Sequence, residues 1–263
     1  MKGDFSLFMY PILFKIGPFT VYAYGTLVAL GFLTAIYIAK KNAIKENISP
    51  DKILDLGFII LISGIIGARL FYVITEIKDY IYNPLDIFKV WEGGLVYYGG
   101  FIAGFIAALW YLKKNKLPVW VIADIVAAPI AIGQTYGRIG CFLNGCCYGK
   151  YSKNFGVIFH SLQDNFPRIP TQLLEAILTF TIFIILVLFK KYKKLKFAGQ
   201  IFWIYVLLYS GGRFILEFLR DDDRGPILFS IFSVSQFISI CLVVVSAAYL
   251  LKIFPKSFDK LSS

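Results

Sequence analysis

Apolar side chains run through this chain in seven long stretches, near residues 21–39, 53–75, 95–112, 119–139, 173–189, 197–219 and 228–253. About 20 residues of helix cross a bilayer, since about 30 Å of hydrocarbon is climbed at 1.5 Å per residue. Each stretch is therefore predicted to be a membrane-spanning helix. The fourth is the most interrupted, by Asp124, Gln134 and Arg138. Strands are not expected, because period-two alternation is absent and an open sheet edge cannot face lipid. The predicted fold is all-α: one polytopic membrane domain over residues 1–263, with seven transmembrane helices.

Composition sharpens this picture. Of the 263 residues 58% are hydrophobic and only 16% charged, with a mean hydropathy of +0.71. A soluble domain runs nearer 45–50% and about 25%, and no core of this size hides the difference. Disorder, coiled coil and a secreted disulfide scaffold are excluded together. Residues 1–18 show neither a basic leader nor a small-residue cleavage site, so no cleaved signal is expected.

The net charge of +11 reads as topology. The basic residues cluster in short connections between apolar runs, which predicts no nucleic-acid partner. Fifteen lysines follow stretches one, three, five and seven; nine lysines and arginines lie on the opposite side. Basic residues favour the cytoplasm, which places the N-terminus outside and the C-terminus inside. The longer connections, 76–94, 141–172 and 220–226, then lie outside.

Ionisable groups at membrane depth cost several kcal/mol unless paired, which makes them candidate functional groups. Arg69, Arg138 and Arg213 qualify, and all three fall toward the outer ends of their stretches. Arg213 and Glu217 are four apart and share a helix face, with Arg220 seven from Arg213. One reading of this trio is an internal ion pair. The other is an anion site, because a guanidinium fork matches phosphate oxygens and cannot discharge. Few nearby acids balance the arginines, which favours a bound anion such as a phospholipid head group. A glycine-flanked segment, Glu92-Gly-Gly-Leu-Val-Tyr-Tyr98-Gly-Gly100, adds backbone N–H groups at a helix entrance or is simply a tight turn with interfacial tyrosines. Tyr24-Gly25 reads as an aromatic-belt residue or a site group.

Cys141, Cys146 and Cys147 raise metal binding as a question. Adjacent cysteines rarely reach one tetrahedral ion together, and His160 lacks a partner at ligand spacing. No metal and no cofactor are expected, and a disulfide from Cys141 to one of the pair is the other option. Cys241 is expected to pack within the last helix, and His160 to be an ordinary loop residue.

Taken in order, Gly93-Gly-Leu-Val-Tyr-Tyr-Gly-Gly100, Gly137-Arg-Ile-Gly-Cys-Phe-Leu-Asn-Gly145 through Gly149, Pro170-Thr-Gln-Leu-Leu-Glu175 and Arg213-Phe-Ile-Leu-Glu-Phe-Leu-Arg220 resemble the prolipoprotein diacylglyceryl transferase family. Tyr24-Gly25 and Arg69 join the likeness, which covers nearly the whole chain. It implies a bacterial inner-membrane enzyme with its active site toward the outer leaflet. Such an enzyme moves diacylglycerol from phosphatidylglycerol to the lipobox cysteine of a prolipoprotein, forming a thioether and releasing glycerol phosphate. Arg138 would then grip the phosphate and Arg213 would be the second essential arginine, with Tyr98 the third catalytic candidate. Tyr24, Asp124, Asn144, Glu217 and Arg220 match family site positions, and Gly99, Arg69 and Gln172 complete the expected phosphatidylglycerol-binding set.

The chain departs from the family pattern at informative places. Tyr98 stands where well-studied members carry histidine, Cys141 and Cys146 replace Asn and Glu, and Ile169 and Leu174 replace His and Tyr. A free thiol of pKa about 8.5 is already a few per cent ionised at neutral pH, so a base adds only about 30-fold. Stabilising charge on the leaving oxygen is worth about 10²–10³ per donor. The departures therefore bear on the base and the acceptor more than on the reaction class. A related transferase with another lipid or acceptor, and a non-catalytic phospholipid binder or transporter, are the alternatives.

Overall fold

The computed structural model describes residues 10–17, 19–81, 83–90, 93–159, 162, 166–192, 195–221, 227–228 and 232–251. His160 and Glu92 lie outside them. Each of the seven apolar stretches folds as a helix: α1 (Ala23–Lys45), α2 (Pro50–Thr75), α4 (Tyr97–Lys114), α5 (Val119–Asn144), α6 (Thr171–Tyr192), α7 (Gln200–Glu217) and α8 (Val234–Leu250). A single turn, α3 (Ile77–Tyr80), and a 3-10 turn (Pro84–Phe88) lie between α2 and α4. Helices α1, α2, α5 and α6 are long and apolar enough to cross a membrane, and α8 is a shorter apolar helix. Large apolar side chains stand outward on these helices, among them Leu33, Ile66, Ile177 and Val244. Water would penalise that surface and lipid would not.

Strands do occur, against the expectation, but only as short antiparallel pairs outside the long helices. These are β1 (Ile12–Ile16) with β2 (Phe19–Tyr22), β3 (Val157–Ile158) with β4 (Pro167–Arg168), and β5 (Ile227–Leu228) with β6 (Phe232–Ser233). Gly17, at φ +57°, turns the first pair. Strands of two to five residues leave no alternation long enough to read from sequence.

The chain divides into two compact units, residues 39–122 and residues 1–38 with 123–263; α1 and α5 carry it from one to the other. In the 39–122 unit α2 begins with Pro50 at its first position and Asp51 in its first turn, both favourable at a helix N-terminus. Its Gly67 lies against Gly99 of α4: a Cβ on Gly67 would come 2.6 Å from the Gly99 carbonyl oxygen, and one on Gly99 2.5 Å from that of Gly67. Only hydrogen at both positions lets the two backbones meet so closely.

In the larger unit, α5, α6 and α7 share a core that includes Ala127, Ala131, Ile182, Leu186, Ile201 and Tyr205. Buried polar pairs tie these helices together. The hydroxyls of Thr135 and Thr179 lie 2.9 Å apart, and Tyr205 donates to Gln134 at 2.9 Å. Helix α8 starts on a capping box in which Ser233 accepts from the Gln236 backbone and Gln236 accepts from that of Ser233. The interrupted fourth stretch is thus continuous helix, because its polar residues have buried partners.

Candidate functional site: an arginine cluster around a buried glutamate

Arg138 lies two turns from the C-terminal end of α5, Arg213 near the end of α7, and Arg220 just beyond it. Glu175 sits in the second turn of α6, and all four side chains meet there. Arg138 Nη2 is 2.8 Å from Glu175 Oε1. Arg213 Nη1 and Arg220 Nη1 approach Glu175 Oε2 at 3.9 and 3.6 Å. Tyr209 donates to Oε1 at 3.1 Å. The same-face pairing predicted for Arg213 and Glu217 is present at 2.6 Å, and Glu217 also accepts from Ser233 at 2.9 Å.

Among the described residues this cluster brings three guanidiniums to two carboxylates. Glu175 is 1% exposed, and the side chains of Arg213 and Arg220 are 9% and 3% exposed, whereas Arg138 retains 22%. Among the described residues Arg213 Nη1 makes no hydrogen bond, nor does Glu175 Oε2, which faces it at 3.9 Å. A guanidinium as reachable as Arg138, backed by a second one, offers a fork that matches the oxygens of an oxyanion. Glu175 was named only as part of a motif in the sequence. The signal was available, since a carboxylate inside an apolar run obeys the same rule that selected the arginines.

Other predicted residues gather at this end of the larger unit. The ring of Tyr24 lies against Gly140, two residues after Arg138, where an added Cβ would come 3.2 Å from Tyr24 Cδ2. Gln172 is fully buried and donates to the Cys146 carbonyl at 2.6 Å, while Thr171 donates to that of Cys147 at 2.8 Å. Asn144, exposed at the last position of α5, hydrogen-bonds the Cys146 thiol. The chain after α5 is knitted down by Gly149 N to the Ile169 carbonyl and Lys150 N to that of Leu219, each at 2.8 Å.

Two predicted phosphate contacts have different tasks. Asp124 is buried and accepts from the backbone of Gly199 at 2.7 Å and of Phe202 at 2.9 Å, so it caps α7 from α5. It lies fourteen residues before Arg138, about 21 Å along the same helix. Replacing Asp124 with alanine is expected to cost about 0.5–2 kcal/mol of stability and leave turnover per folded molecule unchanged, read by unfolding and by assay of the folded fraction. Arg69, in the 39–122 unit, spends its guanidinium on backbone carbonyls: Asp86 at 2.6 Å, Ile87 and Gly93 at 2.8 Å, and Gly94 at 3.2 Å. The rings of Tyr72 and Tyr80 lie beside it. It clamps the loop through main-chain oxygens.

Gly99 serves the α2–α4 crossing described above. Tyr98, in the first turn of α4, is 61% exposed, and its ring stands edge-on to that of Tyr97 at 5.8 Å.

All four cysteines are free thiols, so the Cys141 disulfide is not formed. Cys241 is exposed on α8 instead of packed. Cys147 adopts φ +66°, which turns the chain so that the sulfurs of Cys141, Cys146 and Cys147 lie within 4.8 Å of one another. Adjacent cysteines do converge here. The Cys146 thiol donates to the Cys141 carbonyl at 3.7 Å, and the neighbouring sulfurs with the nearby Arg220 charge hold the Cys147 thiol below its ordinary range.

Residues 11–252 match the family model described as prolipoprotein diacylglyceryl transferase. The chain belongs to that family. Among its relatives is the phosphatidylglycerol–prolipoprotein diacylglyceryl transferase of Clostridium tetani, 38% identical over 241 residues, covering 90% of this chain and 95% of the relative. The same-named protein of Oceanobacillus iheyensis is 34% identical over 90% of this chain and 85% of its own. That of Staphylococcus aureus is 35% identical, with 90% and 86% covered.

Proposed function

We propose that the arginine–glutamate cluster is the phosphate site of a transferase that moves the diacylglyceryl group from phosphatidylglycerol to a prolipoprotein cysteine. The observation that carries this reading is the convergence of the Arg138, Arg213 and Arg220 guanidiniums on one buried carboxylate, that of Glu175. Family membership supplies the reaction class.

The lipid phosphate binds at Arg138, the guanidinium open to approach, with Arg213 behind it. Glu175 and Glu217 fix the arginine forks before substrate arrives, so little reorganisation accompanies the reaction. The acceptor thiolate attacks the glycerol carbon, the carbon–oxygen bond breaks, and glycerol phosphate leaves with its negative charge on the arginines. Tyr24 and Asn144 line the approach to Arg138, and Gln172 holds the neighbouring loop.

The fold acts as one membrane-embedded domain with seven spans, the N-terminus outside and the C-terminus cytoplasmic. The lysine asymmetry between alternate connections supports that orientation. It puts the ends of α5 and α7 that carry the arginines toward the outer leaflet of the bacterial inner membrane, where lipobox-bearing prolipoproteins arrive.

Purified protein incubated with labelled phosphatidylglycerol and a lipobox peptide is expected to give the thioether product, and a cysteine-to-serine peptide none. Lipid binding without turnover, or product only with another thiol, would replace this reading with one of its alternatives. The resemblance also makes the Tyr98 hydroxyl a participant, as a hydrogen-bond partner of thiol or phosphate. Tyr98→Phe is expected to slow transfer several-fold, by about 1 kcal/mol for one neutral hydrogen bond; an unchanged rate would leave that hydroxyl without a role.

A further inference from the structure

We infer that Cys141, Cys146 and Cys147 form a three-thiolate site for a thiophilic divalent metal of the zinc class, whose open fourth position receives the acceptor cysteine. The identity of that fourth ligand rests on the proposed transferase reaction; the metal site itself does not.

Three sulfurs within 4.8 Å of one another are close to what such an ion requires. With metal–sulfur bonds near 2.3 Å, sulfurs in a trigonal or tetrahedral site stand about 3.8–4.0 Å apart. A disulfide requires about 2.05 Å, a much larger closure. The backbone that presents the thiols is held on both sides. Cys141 belongs to α5, one turn after Arg138, and the carbonyls of Cys146 and Cys147 are pinned by Gln172 and Thr171 at the start of α6. Among the described residues no histidine or carboxylate joins the cluster as a fourth ligand. Three protein ligands and one free position characterise a reactive site rather than a structural one.

Charge and location agree. A divalent ion with three thiolates carries one net negative charge, and the Arg138 and Arg220 guanidiniums lie near these sulfurs. Cys141 shares a helix face with Arg138, and Gln172 precedes Glu175 by three residues on α6. An acceptor thiol entering the fourth position loses its proton to water and becomes a metal thiolate, which is the nucleophile. Its sulfur then bonds to the glycerol carbon as the carbon–oxygen bond breaks. Glycerol phosphate leaves, and the neutral thioether binds the metal weakly and departs. The metal supplies the ionisation that a histidine base supplies elsewhere, and no oxidant or reductant is consumed.

The test uses the full-length protein, reduced and metal-free, in detergent. Cadmium is expected to bind one equivalent with a thiolate-to-metal charge-transfer band. Cys141→Ser, Cys146→Ser and Cys147→Ser should each weaken binding at least tenfold, and Cys241→Ser should not. The wild-type titration needs no variant, so a misfolded mutant cannot hide a negative result. With cobalt in place of cadmium, a lipobox peptide should shift the visible bands, and its serine counterpart should not. Removing zinc should lower transfer at neutral pH by about thirty-fold, the inverse of the ionised fraction of a free thiol. No metal binding by the reduced protein, or binding indifferent to the three serine variants, would overturn the site. Transfer that persists at full rate without metal would overturn the activation and leave the transferase reading standing. A peptide-induced cobalt shift without thioether product would instead count against that reading and keep the metal site.

Discussion

Arg138→Ala is expected to lower diacylglyceryl transfer at least about 10²–10³-fold, the typical loss when one donor to a developing negative charge is removed. Among the three clustered arginines it is the one a lipid phosphate can reach, with 22% of its side chain exposed. The fold should survive the change. Glu175 keeps Tyr209 on one oxygen and has Arg213 and Arg220 near the other. Arg138→Lys restores the charge without the fork and should recover only part of the rate. Product formation with lipobox peptide, alongside a thermal unfolding curve for each variant, separates the two effects. Undiminished transfer by Arg138→Ala would remove the leaving-group mechanism.

The largest stability effect is expected at Glu175. Its carboxylate is almost wholly buried and faces three guanidiniums. Breaking such a network from one side typically costs about 3–5 kcal/mol, because the charges left behind are neither hydrated nor paired. Glu175→Ala should therefore unfold at markedly lower denaturant, and Glu175→Gln, which retains a partner for Tyr209, should lie between it and the parent. Activity should fall in both, since the arginines lose the group that orients them. Unchanged stability in Glu175→Ala would mean that the arginines are held by other contacts.

The helices were legible because bilayer thickness imposes a length that local sequence cannot disguise. The site was legible in part. Arg138, Arg213 and Glu217 announced themselves as charges within apolar runs, and the i, i+4 pairing of the last two followed from helix geometry. The same signal also marked Asp124 and Arg69, whose partners are backbone groups: the amides that open α7 and the carbonyls from Asp86 to Gly94. Backbone acceptors and donors leave no trace in residue identity, so a charge capping a helix and a charge awaiting a ligand look alike. Glu175 carries the same signal, as a carboxylate inside an apolar run. The convergence of the three thiols was hidden for another reason, since it depends on the left-handed conformation of Cys147.

The clamp formed by Arg69 bears on how the 86–94 segment can change over evolution. All four of its acceptors are main-chain oxygens, so the side chains at 86 and 87 could be exchanged without loosening the grip. Gly93 and Gly94 instead hold positive φ, and a Cβ on Gly94 would come 2.6 Å from Arg69 Nη1. Lysine at position 69 could not replace it, because one ammonium nitrogen cannot span carbonyls that a planar guanidinium reaches along two edges. Drift at positions 86 and 87, with glycine retained at 93 and 94 and arginine at its anchor, is the signature this geometry leaves among related sequences.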